Sequence, residues 1–379
     1  MSSRVSSEEG AMEGLLKGLI NIGIEAVQDF AAGNQNADNS QSNDPDSRKE
    51  EEAQPRSRWD KHPHTKHQQA PDEYKQAFKR NASDQDYSEG VDSSSINLEP
   101  TDEELSDYRV ACSRLWDLDI DRLVPGRDYE IDCGDGKRVY SKEDMASNEL
   151  FRFVSQDVFK SPTYARFYAL LDNYHADQDV AEEFSSREEQ EQIAFVEEIS
   201  RTAPIQYLFK YLVASRAIQS DNWEEFKRML QRLWFDLYRR DNTRNSSSAF
   251  EHVFVGEIKD RENNDEEVSG LHNWIQFYIE EAKGSLDYQG YILPRRRGGD
   301  EPDSHTRLVT VQFTWNGARK PASSSFIGVS PEFELALYTL CFFCGDEDNH
   351  LVLGSYAVNV KCYRYGRNRI GSVFPIAEE

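Results

Sequence analysis

Two histidines and one lysine in the second half of the sequence have the side-chain types that phosphodiester chemistry requires. They are His252 in AFEHVFVGEIKD, His272 in VSGLHNWIQFYIEEAKG and Lys320 in NGARKPASSSFIGVSPEFELALYTL. One imidazole can take the proton of a ribose 2′-hydroxyl, a second can protonate the leaving 5′-oxygen, and an ammonium can stabilise the phosphorane. Taken singly, each has a plainer interpretation: a core histidine, a capping or surface histidine, and a solvated loop lysine. Together they predict transesterification, without an activated water or a covalent enzyme intermediate.

The segment that carries His252 alternates apolar and other residues, which is typical of a strand. We therefore predict a strand over Ala249–Asp260. Strand alternation sends His252 to one face with the phenylalanines and sends Glu251 and Glu257 to the opposite face. Direct pairing between Glu251 and His252 is not expected, and the group that orients the imidazole stays open.

His272 and Lys320 are placed by the segments around them. Ser269 is a suitable N-cap and Gly284 a suitable C-terminal stop, so we predict a helix between them with His272 in its first turn. The helix macrodipole disfavours an imidazolium there and lowers its pKa, which suits a base. Lys320 is predicted in a loop, because it follows the Asn316-Gly317 turn.

The composition divides the chain into three parts. Residues 1–32 predict a short amphipathic helix. Residues 33–100 are polar and acidic, and their few aliphatic side chains cannot offset the entropy cost of ordering, so we predict a disordered tail. A capping box of Thr101 and Glu104 opens the folded domain at 101–379.

The order of elements within the folded domain predicts its class. We expect a hairpin bent at Gly134–Gly136, mostly helical sequence over 141–240, a loop at 241–248 and strand-rich sequence afterwards. A further helix begins at Ser330-Pro331, where a capping residue precedes a proline. The prediction is an α+β fold, with a helix-rich N-terminal lobe followed by lobes that contain antiparallel sheets.

The charge of the chain restricts how it can bind nucleic acid. With 44 basic and 69 acidic residues, its formal net charge is −25, the opposite of a protein that binds through its overall field. RNA binding then needs a bridging divalent cation or a local basic strip. Candidates for the strip are Arg295, Arg296 and Arg297 with Arg319 and Lys320, although the RRRGG segment is equally typical of a solvated turn.

The remaining candidate motifs favour plain interpretations. Cys341 and Cys344 form a C-x-x-C within an apolar helical run, so we interpret them as small buried residues rather than a metal or redox pair. The histidines of HPHTKH, His62, His64 and His67, are interpreted as solvated. We find neither a signal peptide nor a spanning segment, which predicts an intracellular, cytoplasmic protein, with a monomer as the default.

The motifs around the three candidate residues resemble a known family. FEHVFVGE, SGLHNW, the lysine before FIGVSPEFELALYTLCF and the closing IGSVFP are similar to the EndoU group of poly(U)-specific endoribonucleases. SRLWDLDIDRLVPGRDYEI resembles the opening of that domain, so the resemblance spans residues 100–379. It implies cleavage of single-stranded RNA at uridylates, products with 2′,3′-cyclic phosphate and 5′-hydroxyl ends, and activation by a divalent cation, usually Mn²⁺ and alternatively Ca²⁺.

The resemblance also implies roles for individual residues. His252 matches the first catalytic histidine and is assigned as general acid, and His272 matches the second and is assigned as general base. Lys320 matches the catalytic lysine. Glu251 and Glu257 match acids that orient the first histidine or contribute to a cation site, and the metal ligands stay unassigned.

Three further residues are candidates for supporting or contacting the substrate. Ser324 lies in the serine run after Lys320, and Ser372 offers a hydroxyl to phosphate or uracil. Phe374 stands where the family often has a tyrosine; it can stack on a base but cannot donate a hydrogen bond. A phenolic donor, if needed, must come from a different tyrosine such as Tyr363 or Tyr365.

Two other classes of function stay open on the sequence. One is an RNA-binding protein of the same fold with weak or no activity. The other is a hydrolase in which a metal activates water, although the two histidines lack the H-x-x-x-H spacing of a preformed zinc site. The ends of the cleavage products distinguish all three.

Overall fold

The computed structural model describes residues 86–91, 96–240, 243–261, 265–293 and 305–378. The amphipathic helix predicted at 1–32, the HPHTKH histidines and Arg295–Arg297 lie outside these residues. The tail predicted at 33–100 overlaps the described residues only near its end. There Leu98 is buried and the backbone N–H of Val91 donates to the carbonyl of Arg201. Packing against the folded domain therefore begins before Thr101.

Eight α-helices and twelve strands make up the described part of the domain. The helices are α1 (Asp102–Ser106), α2 (Tyr108–Leu118), α3 (Pro162–Leu170), α4 (Ser186–Ile199), α5 (Ala203–Ala214), α6 (Trp223–Phe235), α7 (Trp274–Ala282) and α8 (Pro331–Cys344). The strands are β1 (Tyr129–Ile131), β2 (Phe151–Val154), β3 (Tyr238–Arg240), β4 (Thr243–Ser247), β5 (Glu257–Arg261), β6 (Asp265–Ser269), β7 (Leu286–Tyr291), β8 (Leu308–Trp315), β9 (Ala318–Phe326), β10 (Asp348–Leu353), β11 (Tyr356–Tyr365) and β12 (Arg369–Ala377). A 3₁₀ turn at Val158–Lys160 and a π-helical turn at Glu251–Val255 complete the set.

A five-stranded sheet positions the candidate site. Its strand order is β5-β6-β9-β8-β7, with a parallel pair at β6 and β9 and antiparallel pairs elsewhere. Glu257, the first residue of β5, pairs with Ser269, the last residue of β6. The chain before β5 and the chain after β6 therefore leave the sheet side by side, and these are the segments that carry His252 and His272.

A second, three-stranded sheet packs over helix α8. Its strand order is β10-β11-β12, antiparallel throughout, and β12 also contacts β8, β9 and the π-helical turn. Helix α8 contacts α2, α3 and α5 as well as β11 and β12, and nearly all of its side chains are buried. An apolar sequence around the whole circumference of α8 fits this central position between the helices and the sheet.

The class predicted from the sequence is confirmed, and several local predictions are corrected. The capping box of Thr101 and the N-cap of Ser330 are present. The hairpin predicted at Gly134–Gly136 is wrong, because β1 pairs with β2 further along the chain, and the intervening segment bonds β7 instead. The loop predicted at 241–248 is largely strand β4, which pairs with β3.

The cysteines of the C-x-x-C motif lie within α8. Cys341 is buried, Cys344 is half-buried, and both are free thiols. Burial raises the pKa of Cys344 to about 11. A thiol with a raised pKa is a poor nucleophile and metal ligand. The interpretation as small packing residues is confirmed. Within the described ranges, no helix has the length and apolar character needed to cross a membrane.

Candidate active site

His252 lies on a π-helical turn, so the strand predicted at Ala249–Asp260 is wrong up to Gly256 and correct only from Glu257 onward. The apolar residues Phe250, Val253 and Phe254 fit helical spacing as well as strand alternation, and short apolar runs cannot distinguish the two. Packing selects the helical form, because Phe250 and Phe254 both make edge-to-face contacts with Phe167 of α3 at 5.4 Å between ring centroids.

The π-helical turn brings Glu257 to His252, contrary to the opposite faces that strand alternation predicted. The Nδ1 atom of His252 lies 2.6 Å from Oε2 of the fully buried Glu257. The same carboxylate oxygen lies 3.5 Å from Nε of Arg240. Because a carboxylate can only accept, Nδ1 of His252 carries the proton and Nε2 is left for the substrate. Glu257 is thus the group that orients the His252 ring.

The charge balance at His252 follows from these neighbours. Burial and the Arg240 guanidinium lower the pKa of His252 to about 4, while the hydrogen bond and charge of Glu257 raise it. The pKa of Glu257 is itself lowered, because Arg240 and His252 outweigh its burial. A phosphodiester placed beside the ring would add a second anion and favour the imidazolium.

Glu251 does not bond to His252. Its carboxylate accepts from the backbone N–H of Ser248 at 3.2 Å, and its own N–H donates to Oγ of Ser248 at 3.1 Å. Burial, reinforced by the charge of Glu257, raises the pKa of Glu251 well above its ordinary value. The raised pKa favours the protonated carboxyl of Glu251, and its hydrogen bonds with Ser248 fix the start of the π-helical turn.

His272 precedes helix α7 rather than lying in its first turn. The helix begins at Trp274 and its N-cap is Asn273, whose Oδ1 accepts from Ile275 N–H at 3.0 Å, so Ser269 is not the cap. Ser269 instead ends strand β6, since its pairing with β5 holds it extended. The predicted C-terminal stop is confirmed, because Gly284 follows the last turn at φ +74°.

Main-chain hydrogen bonds join the two histidine segments directly. The N–H of His272 donates to the carbonyl of Val253 at 2.8 Å, and that of Leu271 to the carbonyl of His252 at 3.1 Å. Leu271 has φ +56°, and Gly270 has φ +68° with a Cβ position that would overlap the His252 carbonyl. A left-handed leucine is costly for an L-residue, so this turn stores strain beside the candidate residues.

The environment of His272 fixes its tautomer. Its Nδ1 donates to the carbonyl of Ser324 at 3.1 Å and lies 3.1 Å from Oγ of Ser323. The Ser323 hydroxyl donates to the carbonyl of Leu271, which leaves its oxygen to accept from the ring. Burial, Lys320 and His252 lower the pKa of His272 well below its ordinary value. The result is a neutral imidazole with a free Nε2 lone pair, which is what a general base requires.

Lys320 lies in strand β9, which corrects the predicted loop. The Asn316-Gly317 turn is present, but β9 starts at Ala318, and Lys320 pairs with Phe313 of β8. Burial lowers the pKa of Lys320 to about 8, although the charges of the Glu267 and Glu257 carboxylates raise it. The ammonium therefore remains largely protonated at neutral pH and is the positive charge of the site.

Strand β12 supplies one wall of the site. Phe374 stacks on the His272 ring at 4.4 Å between centroids and an interplanar angle of 13°. Ser372 lies two residues earlier and therefore shares that face of the strand. Both are half-buried, and Tyr363 lies beside Phe374 at 6.2 Å. The structure thus brings His252, His272, Lys320, Ser372 and Phe374 to one place.

Ser324 acts through its main chain. Its carbonyl accepts from His272, whereas its hydroxyl lies 2.7 Å from Oγ1 of Thr310. Arg319, a candidate for a basic strip, donates to the carbonyl of Ser141 and to Oε1 of Gln312, and is half-buried. Ser324 is therefore a supporting residue. The Arg319 guanidinium is engaged in hydrogen bonds within the protein.

Three supporting residues escaped the sequence analysis. Arg240 lies at the boundary of the predicted loop, and Ser323 belongs to a run of three serines. Asn273 falls inside the helix that is predicted to start at Ser269. Only Asn273 carries a local signal that points to it, because asparagine is a favoured N-cap immediately before an apolar helical run. The other two depend on contacts between distant segments.

The donor set does not fit a resident Mn²⁺ or Ca²⁺. Both ions take about six or more oxygen-rich ligands. Across the described ranges, no group of three His, Cys, Asp or Glu is arranged to hold a metal. One buried oxygen of Glu251 has no hydrogen-bond partner there, but the neighbouring Glu257 is already engaged by Arg240 and His252. No step of the chemistry is therefore assigned to a metal.

Comparison with known proteins places the chain. A family model described as "Endoribonuclease XendoU" matches residues 107–375. The chain is 39% identical over 281 residues to uridylate-specific endoribonuclease B of Danio rerio, covering 73% of this chain and 96% of that protein. It is 40% identical over 275 residues to poly(U)-specific endoribonuclease-B of Xenopus laevis, covering 69% of this chain and 91% of that protein.

A solved structure extends the likeness to three dimensions. It is described as "The structure of XendoU: a splicing independent snoRNA processing endoribonuclease". The TM-score is 0.62 at 37% sequence identity, and the match covers 72% of this chain and 97% of that one.

Proposed function

Because the chain belongs to the XendoU family of endoribonucleases, we propose that it cleaves single-stranded RNA at uridylates by attack of the ribose 2′-hydroxyl on the adjacent phosphorus. The products are a 2′,3′-cyclic phosphate and a 5′-hydroxyl. One observation carries the proposal. Two buried imidazoles each commit Nδ1 to the protein and keep Nε2 free, one against a carboxylate and the other against a carbonyl.

The different partners of the two rings assign their roles. A carboxylate stabilises an imidazolium, so His252 with Glu257 is the general acid that protonates the leaving 5′-oxygen. A carbonyl partner and a nearby ammonium keep His272 neutral, so it is the general base that takes the 2′-hydroxyl proton. Lys320 stabilises the charge that develops on the phosphorane oxygens.

Base recognition is the task of strand β12. Phe374 offers a ring face beside His272 on which a uracil can stack, and Ser372 offers a hydroxyl. Tyr363, adjacent to Phe374, supplies the phenolic donor that Phe374 lacks. Burial raises the pKa of Tyr363 to about 12, so it keeps its proton.

Divalent cations act from outside the site residues. The chain carries a net charge of −25, so long-range repulsion opposes the approach of a polyanion. Mn²⁺, or alternatively Ca²⁺, relieves this repulsion by screening or bridging protein and RNA, and thereby stimulates cleavage. The proposal rests on the charge and on the family, and the reaction itself is performed by His252, His272 and Lys320.

The test is cleavage of a uridine-containing oligonucleotide with Mn²⁺, Ca²⁺ or EDTA, with the product ends resolved by mass spectrometry. A cyclic phosphate from the wild type supports transesterification. A monophosphate formed in the first step supports metal-activated water, and no cleavage supports RNA binding alone. The substitution His272→Ala should abolish the cyclic phosphate, whereas His350→Ala, at an exposed histidine paired with Glu378, should leave it unchanged. Near-normal cleavage by His272→Ala contradicts the assignment.

A further inference from the structure

Two hairpins next to the site carry a group of arginines. Tyr238 of β3 and Tyr365 of β11 stack at 5.0 Å between centroids, which packs the β3–β4 hairpin against the β11–β12 turn. The guanidinium of Arg369 lies 5.8 Å from the centroid of the Tyr238 ring. Arg239, Arg244 and Arg367 are exposed on the same two hairpins. We call these four arginines the basic hairpin surface.

This surface is unlike the rest of an acidic chain. Residues 349–377 contain no aspartate or glutamate, although the whole sequence has 69 acids against 44 basic residues. None of Arg239, Arg244 and Arg367 forms an ion pair with a carboxylate among the described residues. By contrast, the exposed Arg127 and Arg152 each contact a carboxylate at 2.8 Å. Exposed guanidinium groups that form no ion pair with the described residues are available to an external anion.

The basic hairpin surface is continuous with the candidate site. Arg240 donates to Oγ of Ser247 on β4 at 3.1 Å and to the carbonyl of Gly371 on β12 at 2.7 Å, which ties both hairpins to the site. Strand β12 begins at Arg369 and reaches Phe374 five residues later. At a rise of about 3.3 Å per residue, these two residues lie about 17 Å apart along the strand.

We propose that the basic hairpin surface binds the phosphates of the RNA strand that flank the cleaved nucleotide. The proposal rests on the proposed function, since a chain held at His252 and His272 must extend beyond the site. Guanidinium groups bind phosphate oxygens in a bidentate manner, and the stacked Tyr238 and Tyr365 keep the two hairpins together. The surface thereby attracts RNA phosphates locally, whereas the overall net charge of −25 repels them.

A triple variant, Arg239→Gln with Arg244→Gln and Arg367→Gln, tests this surface. The measured quantity is kcat/KM for a long uridine-containing oligonucleotide relative to that for the dinucleotide UpU. The dinucleotide is too short to reach from Phe374 to Arg369. We expect the advantage of the long substrate to fall about tenfold or more, mainly through KM. The slope of log KM against log salt should decrease by about 0.7 for each lost phosphate contact.

The matched control is Arg127→Gln with Arg152→Gln and Arg187→Gln. It lowers the net charge by the same amount, but its arginines pair with carboxylates elsewhere on the domain. The control should keep the advantage of the long substrate. An equal loss in both triple variants, or no loss in the first, overturns the proposal. Failure of the wild type to cleave either substrate would instead contradict the proposed function.

Discussion

Replacing Glu257 by glutamine should slow cleavage by about 10- to 150-fold while the domain stays folded. The carboxylate accepts from Nδ1 of His252 at 2.6 Å in a fully buried position, and glutamine removes its charge. A hydrogen bond to a charged group contributes about 1.5–3 kcal/mol. At about 1.36 kcal/mol for each factor of ten in rate, that range gives the expected loss.

The loss should have a specific dependence on pH. Glu257 raises the pKa of His252, whereas Arg240 and burial lower it. Without the carboxylate, His252 releases its proton at a lower pH, so the alkaline limb of the kcat profile should move to lower pH. The assay is single-turnover cleavage of a uridine-containing dinucleotide, with the rate measured as a function of pH.

A substrate with a good leaving group separates this role from a merely structural one. Uridine 3′-nitrophenyl phosphate expels a stable phenolate and needs no general acid. The substitution Glu257→Gln should therefore leave the rate on this ester close to that of the wild type. An equal loss on both substrates would refute the argument that Glu257 acts through the proton donor.

The matched control for Glu257 is a second buried carboxylate. Glu198 accepts from Nε of Arg166 at 3.1 Å, and both side chains are buried away from the candidate site. The substitution Glu198→Gln removes the carboxylate that faces a buried guanidinium, as Glu257→Gln does at Arg240. It should lower the midpoint of thermal unfolding while leaving kcat unchanged.

The remaining predictions concern stability. Burial raises the pKa of Glu334 to about 8, so ionisation disfavours the folded state as pH rises from about 4.5 to 8. Glu334→Gln should accordingly increase the unfolding temperature at pH 8 relative to pH 4.5, and a pH-independent effect would contradict this. Gly270→Ala should destabilise by several kcal/mol in urea unfolding, because its Cβ would overlap the His252 carbonyl. Gly366→Ala, also at positive φ but with open space around it, should cost only about 1–2 kcal/mol, and equal costs would refute the overlap argument. The lowered pKa values of His252 and His272 mean that the unfolded chain takes up protons first, so stability should fall as pH drops from about 6.5 toward 4. His272→Asn should reduce that fall in calorimetry, and an unchanged fall would contradict it.

The sequence indicated the candidate reacting groups because the chemistry in question depends on residue type. His252, His272 and Lys320 were selected as an acid, a base and a cation, and the structure brings the three together. The start of α8 was equally predictable, because a serine cap followed by a proline is a local signal. Local capping preferences act over a few residues, so they survive without knowledge of the rest of the fold.

The hydrogen-bond partners of these candidate groups were not predictable from local patterns. The spacing of Phe250, Val253 and Phe254 fits both a strand and a helix, and packing against α3 selects the π-helical turn. That choice turns Glu257 toward His252, where alternation had placed it on the opposite face. Arg240 reaches Glu257 only because the β3–β4 hairpin folds back, a contact that depends on the tertiary structure.

The candidate site depends on β12, the last strand of the described residues. The strand packs against β8, β9 and the π-helical turn, and its Phe374 covers the His272 ring. Because β12 follows both histidines and Lys320 in the sequence, a chain folded without it would keep the three candidate groups but leave the His272 ring uncovered.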